Sequence, residues 1–449
     1  MNLFDKYNTA APRYTSYPTV PYWDETTFST AVALERLQQQ LETENSISLY
    51  IHLPFCERLC TFCGCHKYIT KRHEVEQPYI EALLKEWHLY LELLPAKPVL
   101  KELHLGGGTP TFFSPLSLEH LLTEITSSVE VDATAELGFE GHPHSTSAQH
   151  LRALRRFGFT RVSFGVQDYN PHIQQAINRQ QTFNEVAKVS FMARELGYKS
   201  VSHDLVYGLP FQCENDIIDS IEKTTILRPD RISLYSYAHV PWVKGTGQRG
   251  FKTSDLPEGA QKRKLYEIAR ELLLENDYVE IGMDHFALRT DDLFHDSVTG
   301  QLHRNFMGYT TAKAAVQLGL GVSAIGNSKA AFMQNTKDLK TYYKLLESNT
   351  LPVVKGHLLS SEDLCIQQHI LNLMCQLQTT WTDELFRYID FQTLKSSLRT
   401  FVADGLLELT ETGMQVLEAG RPFLRNICMA FDLRLQRKWP DTKLFSSAV

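Results

Sequence analysis

Four of the chain's eight cysteines, Cys56, Cys60, Cys63 and Cys65, fall within ten residues of the stretch SLYIHLPFCERLCTFCGCHKYIT. An apolar run that reads as a strand precedes them, and a basic segment leading into a helix follows. Thiols this dense belong to a disulfide framework or a metal centre, and the compartment decides between the two. The opening MNLFDKYNTAAPRYTSYPT has no apolar core of signal-peptide length, and no stretch approaches the roughly 20 apolar residues of a membrane span. A cytoplasmic, reducing location is therefore expected, where clustered cysteines are metal ligands or redox thiols. Cys213, Cys365, Cys375 and Cys428 sit singly among apolar residues and are expected in the core.

Zinc is the commonest metal bound by thiolates, and its structural sites draw two ligands from one close pair and two from another further on. Here all four cysteines share one loop, no second C-x-x-C follows, and His66 is the sole local nitrogen ligand. A single compact loop suits an iron–sulfur cluster better, because it can wrap the cluster and present thiolates to different irons. Ligands at Cys56, Cys60 and Cys63, spaced C-x3-C-x2-C, would leave one iron of a 4Fe–4S cluster open for chemistry. The spacing alone leaves Cys65 as either a fourth ligand or a free thiol.

The rest of the chain reads as a scaffold for this loop. Residues 1–46 form a polar, aromatic-rich arm and then a helix over about 27–41. In the arm, Lys6, Tyr7, Arg13, Tyr14 and Tyr17 are suited either to capping a pocket or to packing on the surface. Strands are expected at 47–52, 100–105, 135–140, 160–166, 201–206 and 231–236, with helices at about 75–93, 116–128, 146–157, 182–196, 214–227 and 258–276. Six such alternations imply parallel strands joined by right-handed crossovers, an α/β fold that stops short of the eight strands of a closed barrel. Chemistry-bearing residues stand where these strands end: the cysteines, Gly106-Gly107-Gly108-Thr109, Glu140, Gln167 with Asp168, Asp204, and Tyr237-Ala238-His239. The C-terminal ends of parallel strands converge on one rim.

From residue 351 onward the chain turns helical, and its last 70 residues read helix, strand, turn, strand, helix, the order of a winged-helix unit. Such units often bind DNA. From Thr380 to Val449, however, nine Lys and Arg face nine Asp and Glu, and the whole chain carries a formal net charge of −7. Neither gives the basic footprint of nucleic-acid or anionic-lipid binding, so a cover over the barrel is the expected role. No coiled coil or apolar edge calls for a partner copy, and a monomer is expected.

With Phe62 before the third cysteine, C-x3-C-x2-C resembles the signature of the radical S-adenosylmethionine superfamily. The longer CERLCTFCGC is similar to the oxygen-independent coproporphyrinogen III oxidases, as are KYNTAAPRYTSYPT, HLGGGTPT, RVSFGVQDYN, HDLVYGLP, SLYSYAH, GMDHFA, HRNFMGYTT, GVSAI and RNICMAFD, in order from Lys6 to Asp432. The resemblance implies a partial (βα)6 radical-SAM barrel over 47–350 between the arm and a mostly helical, winged-helix-like domain over 351–449. It implies one 4Fe–4S cluster on Cys56, Cys60 and Cys63, with Cys65 a family marker rather than a ligand. It further implies a first S-adenosylmethionine at Tyr50, Phe62, Gly107, Gly108, Thr109, Glu140 and Gln167, and a second at Arg179, Asp204, Ala238 and Ile325. The glycines would let the backbone approach the methionine end.

The implied reaction is the oxidative decarboxylation of two propionates of coproporphyrinogen III to vinyl groups, giving protoporphyrinogen IX by way of a 5'-deoxyadenosyl radical. Its electrons would come from a low-potential donor such as flavodoxin or ferredoxin. The substrate's carboxylates favour arginine forks; Arg13, Arg304 and Arg425 are candidates, while His52, His239, His285 and His303 are either assistants or structural. The arm and the C-terminal unit are candidates for excluding water. One departure stands out: Gly141-His142-Pro143-His144 lacks the acidic residue before the proline and the basic one after it that are usual in the family. Related haem chaperones are the alternative function, but they usually lack Gly64-Cys65 and the HRNFMGYTT string.

Overall fold

The computed structural model describes residues 2–241, 248, 250–440 and 445–446. The six expected strands are β1 (Ser46–Leu53), β2 (Val99–Gly107), β3 (Glu130–Gly141), β4 (Arg161–Gln167), β5 (Ser200–Tyr207) and β6 (Arg231–Ser236). They pair in sequence order, each parallel to the next. The crossovers are the helices Glu76–Leu93, Pro115–Ser127, Ala148–Arg156, Phe183–Glu195 and Glu214–Leu227. Local chemistry sets their starts: Ser147 with His150 and Thr182 with Glu185 form reciprocal capping boxes.

The strands are two-faced. Ile47, Leu49, Ile51 and Leu53 of β1 pack outward with Ile80, Leu83 and Trp87, in a core that also takes Leu103, Leu105, Leu137 and Phe139. The intervening side chains turn inward and are polar. Ser48 donates to Glu102 Oε2 at 2.6 Å, Ser163 donates to Asp204 Oδ2 at 3.0 Å, and Arg161 pairs with Glu136. A closed barrel of eight strands fills its interior with apolar layers; this open one keeps a hydrogen-bonded, charged interior.

The sheet has twelve strands rather than six. Val316–Leu320 lies parallel beside β1, and Ile325–Ser328, Ala331–Asn335 and Val353–Leu358 continue that edge antiparallel. Beyond β6 come His285–Leu288 and Tyr278–Gly282. The seventh parallel strand is weak in sequence because Gly319 interrupts it. A Cβ there would come within 2.7 Å of the Ile325 backbone, so the neighbouring strand demands glycine. Val353–Leu358 belongs to this sheet although it lies beyond residue 350.

After Ser361–Gln376, the helix Phe391–Ala403, the strands Leu407–Leu409 and Gly413–Val416 and the helix Leu424–Cys428 follow in winged-helix order, with Gln378–Thr380 as a third strand. The N-terminal arm packs into this unit. Tyr7, Tyr14 and Tyr17 share a core with Ile366, Leu398 and Phe431; the Tyr14 hydroxyl donates to Asp432 Oδ2 at 3.1 Å, and Arg425 Nε donates to Pro12 O at 3.0 Å. Cys365, Cys375 and Cys428 are buried as expected. Cys213 is not: it precedes the helix Glu214–Leu227, where its backbone N–H caps onto Asp216, and its side chain is exposed.

Glu86 fastens the added strands to the first crossover helix. Its Oε2 accepts from Gly321 N–H at 2.8 Å and the Tyr342 hydroxyl at 2.6 Å, and its Oε1 accepts from Asn335 Nδ2 at 2.6 Å. Burial pushes this carboxyl up to about 7, with those donors opposing the shift. The folded chain therefore holds a proton that the unfolded chain releases, so the group's stabilising contribution is full below about 4.5 and fades as pH rises through 7. Glu86→Gln, which does not titrate, should flatten that part of the pH profile of urea unfolding; a profile parallel to that of the unsubstituted chain refutes the assignment.

Candidate active site

The cysteine loop is clamped at its base and along one side. Phe55–Cys56 and Tyr68–Ile69 pair in parallel, with Tyr68 N–H donating to Pro54 O at 2.8 Å and Thr70 N–H to Cys56 O at 2.9 Å. Thr61 N–H donates to Ile177 O at 3.0 Å and Asn178 Nδ2 to Leu59 O at 2.8 Å, which ties the loop to the chain leaving helix Pro171–Ala176. Lys67 Nζ closes the far turn on the carbonyls of Cys63 and Cys65 at 3.1 and 3.2 Å. All four cysteines are free thiols on the wall of one cavity of about 740 Å³.

Their environments differ. Burial pushes the Cys56 thiol up to about 11, against a 3.2 Å contact with Thr109 Oγ1. Cys60 Sγ accepts from Arg179 at 3.8 Å. A hydrogen bond from Cys65 draws the Cys63 thiol down, and Cys65 itself is exposed.

The opposite wall comes from the strand ends. Gly107 N–H donates to Glu140 Oε2 at 3.2 Å, and His104 Nε2 lies 3.6 Å from Glu140 Oε1. The glycines serve the protein's own packing. At Gly107, where φ is +110°, a Cβ would lie 2.5 Å from the His52 ring; at Gly108 it would lie 2.5 Å from the Pro54 backbone. Gly165 likewise clears room for Gln167 and Arg179, since a Cβ there would sit 2.6 Å from Gln167 Nε2 and 2.7 Å from the Arg179 guanidinium. Gln167 itself adopts φ +69°. Asp204, deep on β5, is pushed up to about 6 by burial and then by the Glu140 carboxylate.

Phe62, Gly107, Gly108, Thr109, Glu140 and Gln167 line this cavity with the cysteines, and Arg179, Asp204 and Ala238 join them. Tyr50 and Ile325 do not. Tyr50 points into the barrel beneath Gly106 with its hydroxyl 3.0 Å from His52 Nδ1, and Ile325 packs beside Phe306 and Phe332. His142 and His144, at the departure from the family pattern, are on the wall as well. Burial, then the nearby Arg179, hold His142 neutral by driving it down to about 2.

Arg13 pairs with Asp284 and lines a second, smaller cavity with Arg425, whose Nε binds Pro12 O, and Arg304 lies buried over the Tyr309 ring with Nε and Nη1 unpartnered; none of the three lines the large cavity. None of His52, His239, His285 and His303 does either. Among the described residues the wall is built wholly from residues 56–248, without the arm or the C-terminal unit. Arg58, which the cysteine spacing does not single out, is an exposed cation on that wall.

Among the described residues no three His, Cys, Asp or Glu side chains are grouped to hold a single metal ion. Three free thiols in one clamped loop, opening on one cavity with a carboxylate and an amide opposite, fit a cluster whose irons take separate thiolates, with a polar ligand beside it.

Residues 50–224 match the family model of the radical SAM superfamily. Across its whole length the chain is 37% identical to the oxygen-independent coproporphyrinogen III oxidase of Synechocystis, covering 97% of that protein. The corresponding Escherichia coli protein is 36% identical over 97% of this chain and 95% of its own length. The solved structure of Escherichia coli coproporphyrinogen III oxidase, described as a radical SAM enzyme, superposes with a TM-score of 0.88 at 35% identity, covering 94% of this chain and 97% of that one.

Because the His52 ring fills the space where a Cβ would stand, Gly107→Ala should cost at least about 2 kcal/mol in urea unfolding. Gly64→Ala, with nothing within 4 Å, is the control and should change stability little. Equal stability for the two variants would refute the packing role.

Proposed function

The chain belongs to the oxygen-independent coproporphyrinogen III oxidases of the radical S-adenosylmethionine superfamily, and we propose that it converts two propionate groups of coproporphyrinogen III to vinyl groups, giving protoporphyrinogen IX. The observation that carries this reading is the meeting of three free thiols, Cys56, Cys60 and Cys63, with Glu140 and Gln167 around one cavity.

Cys56, Cys60 and Cys63 would hold one 4Fe–4S cluster, and Phe62, Gly107, Gly108, Thr109, Glu140 and Gln167 a molecule of S-adenosylmethionine against it. When bound, these groups would supply abstraction of one hydrogen atom from the propionate carbon next to the ring; carbon dioxide would then leave as the double bond forms, with one electron passing to an external one-electron acceptor. The side chains hold and orient. Gly107 N–H engages Glu140 Oε2, and Oε1, with His104 Nε2 3.6 Å away, would accept from an ammonium or a ribose hydroxyl. Gln167, turned by its positive φ at the end of β4, offers an amide donor and acceptor to the same ligand. Arg179, Asp204 and Ala238 would hold a second S-adenosylmethionine; Asp204 is a buried carboxylate that a ligand's cationic or hydroxyl group would satisfy. The cluster would be reduced by a low-potential carrier of the flavodoxin or ferredoxin kind.

Reconstituted with iron and sulfide under anaerobic conditions, then given reductant, S-adenosylmethionine and coproporphyrinogen III, the chain should yield product that oxidises to protoporphyrin. Cys63→Ser should lose both the cluster absorption and the product. Tight stoichiometric haem binding without product would instead favour a haem chaperone.

Equilibrium dialysis should find two S-adenosylmethionine molecules per cluster, falling to one in Asp204→Asn. A stoichiometry of one in the unsubstituted chain rejects the second site.

A further inference from the structure

Ile69, Lys71 and Arg72 follow the base of the cysteine loop, and none of them lines the large cavity. All three are exposed, Ile69 by 46%. They are also close to the first cysteine: Thr70 N–H donates to Cys56 O at 2.9 Å, and Arg72 N–H donates to Thr70 Oγ1 at 3.1 Å. Two residues of chain, about 7 Å, separate Arg72 from the residue bonded to Cys56.

The charge here runs against the rest of the molecule. Residues 57–74 hold four Lys and Arg against two Glu in a chain of net charge −7. Lys71 and Arg72 are both exposed, and the segment's net charge is opposite in sign to that of the whole chain. Among the described residues, no ion pair forms at either. Glu57 stands at the margin, 4.0 Å from His73 Nε2. On the other side, the Tyr68 hydroxyl donates to Lys337 O at 2.7 Å, which brings the exposed Lys337 alongside.

A cluster held by Cys56, Cys60 and Cys63 must gain its electron from outside, and its cavity side is taken by S-adenosylmethionine and substrate. Transient redox encounters use small interfaces, and opposite charge sets their approach rate and orientation. A small apolar spot flanked by unpaired cations fits an acidic partner. We propose that the surface of Ile69, Lys71 and Arg72 docks a small acidic one-electron carrier protein, which is oxidised by one electron as the cluster is reduced by one. This rests on the radical S-adenosylmethionine reading above.

The test uses the full reconstituted chain and a reduced acidic flavodoxin as the probe, with cluster bleaching followed by anaerobic stopped flow. Lys71→Glu/Arg72→Glu should slow reduction by the flavodoxin at least tenfold at low salt and flatten its dependence on ionic strength. Reduced methyl viologen, a small cation, should bleach the same variant at least as fast as the unsubstituted chain. Calorimetry should show affinity for oxidised flavodoxin falling about tenfold, and Lys71→Ala/Arg72→Ala, with iron and sulfide content retained, should lie between. A flavodoxin rate within twofold of the unsubstituted chain, or an equal fall with methyl viologen, overturns the docking site. A chain that loads no cluster in any form overturns the radical S-adenosylmethionine reading instead.

Discussion

The strands β1 to β6 alternate faces with a period of two residues, and crossover helices seal the outer face of each, so a polar residue on the inner register has only the shared interior to occupy. Ser48, Glu102, Glu136, Arg161, Ser163 and Asp204 all lie on that inner register, and they satisfy one another across neighbouring strands. Such an interior cannot collapse into apolar layers. The sheet stays open, grows at its two edges instead of closing, and leaves at its C-terminal rim a cavity of about 740 Å³ whose walls are already polar.

The cysteine loop depends on this arrangement because it has little structure of its own. Its base is two short strands, and its side is fixed by backbone carbonyls and an asparagine from the segment that delivers Arg179. The glycine run at the end of β2 extends the same economy of space: His52 and Pro54 take the volume that side chains at 107 and 108 would need. Thiols and Glu140 thus face each other across the cavity because neighbouring backbones can pack closely beneath them. The cysteines of the loop line the cavity, and Lys71 and Arg72, which follow its base, are exposed to solvent.

The chain's two ends stabilise each other rather than the cavity. Arg425 and Asp432, in one family-like string, bond Pro12 and Tyr14 in another, and three tyrosines of the arm fill the core of the C-terminal unit. Arginines that look available for a carboxylate substrate in the sequence are occupied here, Arg13 by Asp284 and Arg425 by main-chain oxygens. Arg58, by contrast, lies on the cavity wall.

Periodicity and motif spacing were enough to read the six parallel strands, their helices, the winged-helix order and most of the residues that meet at the rim, though Asp168, buried and bonded to Gln212, and His239 do not line the cavity. These are local properties: alternation with period two, helical stretches between, and chemistry placed where a strand stops. The seventh parallel strand was not legible, because Gly319 is required by contact with Ile325 and weakens the strand pattern that would announce it. Tyr50 and Ile325 do not line the large cavity, and Cys213 is exposed, for a related reason. Whether a side chain reaches a cavity or is consumed by a neighbour depends on contacts between residues hundreds of positions apart, such as Arg13 with Asp284 and Tyr14 with Asp432. The sequence by itself determined which chemistry the chain carries and on which rim it gathers; only the packed tertiary structure decided which of those groups are left free to use it.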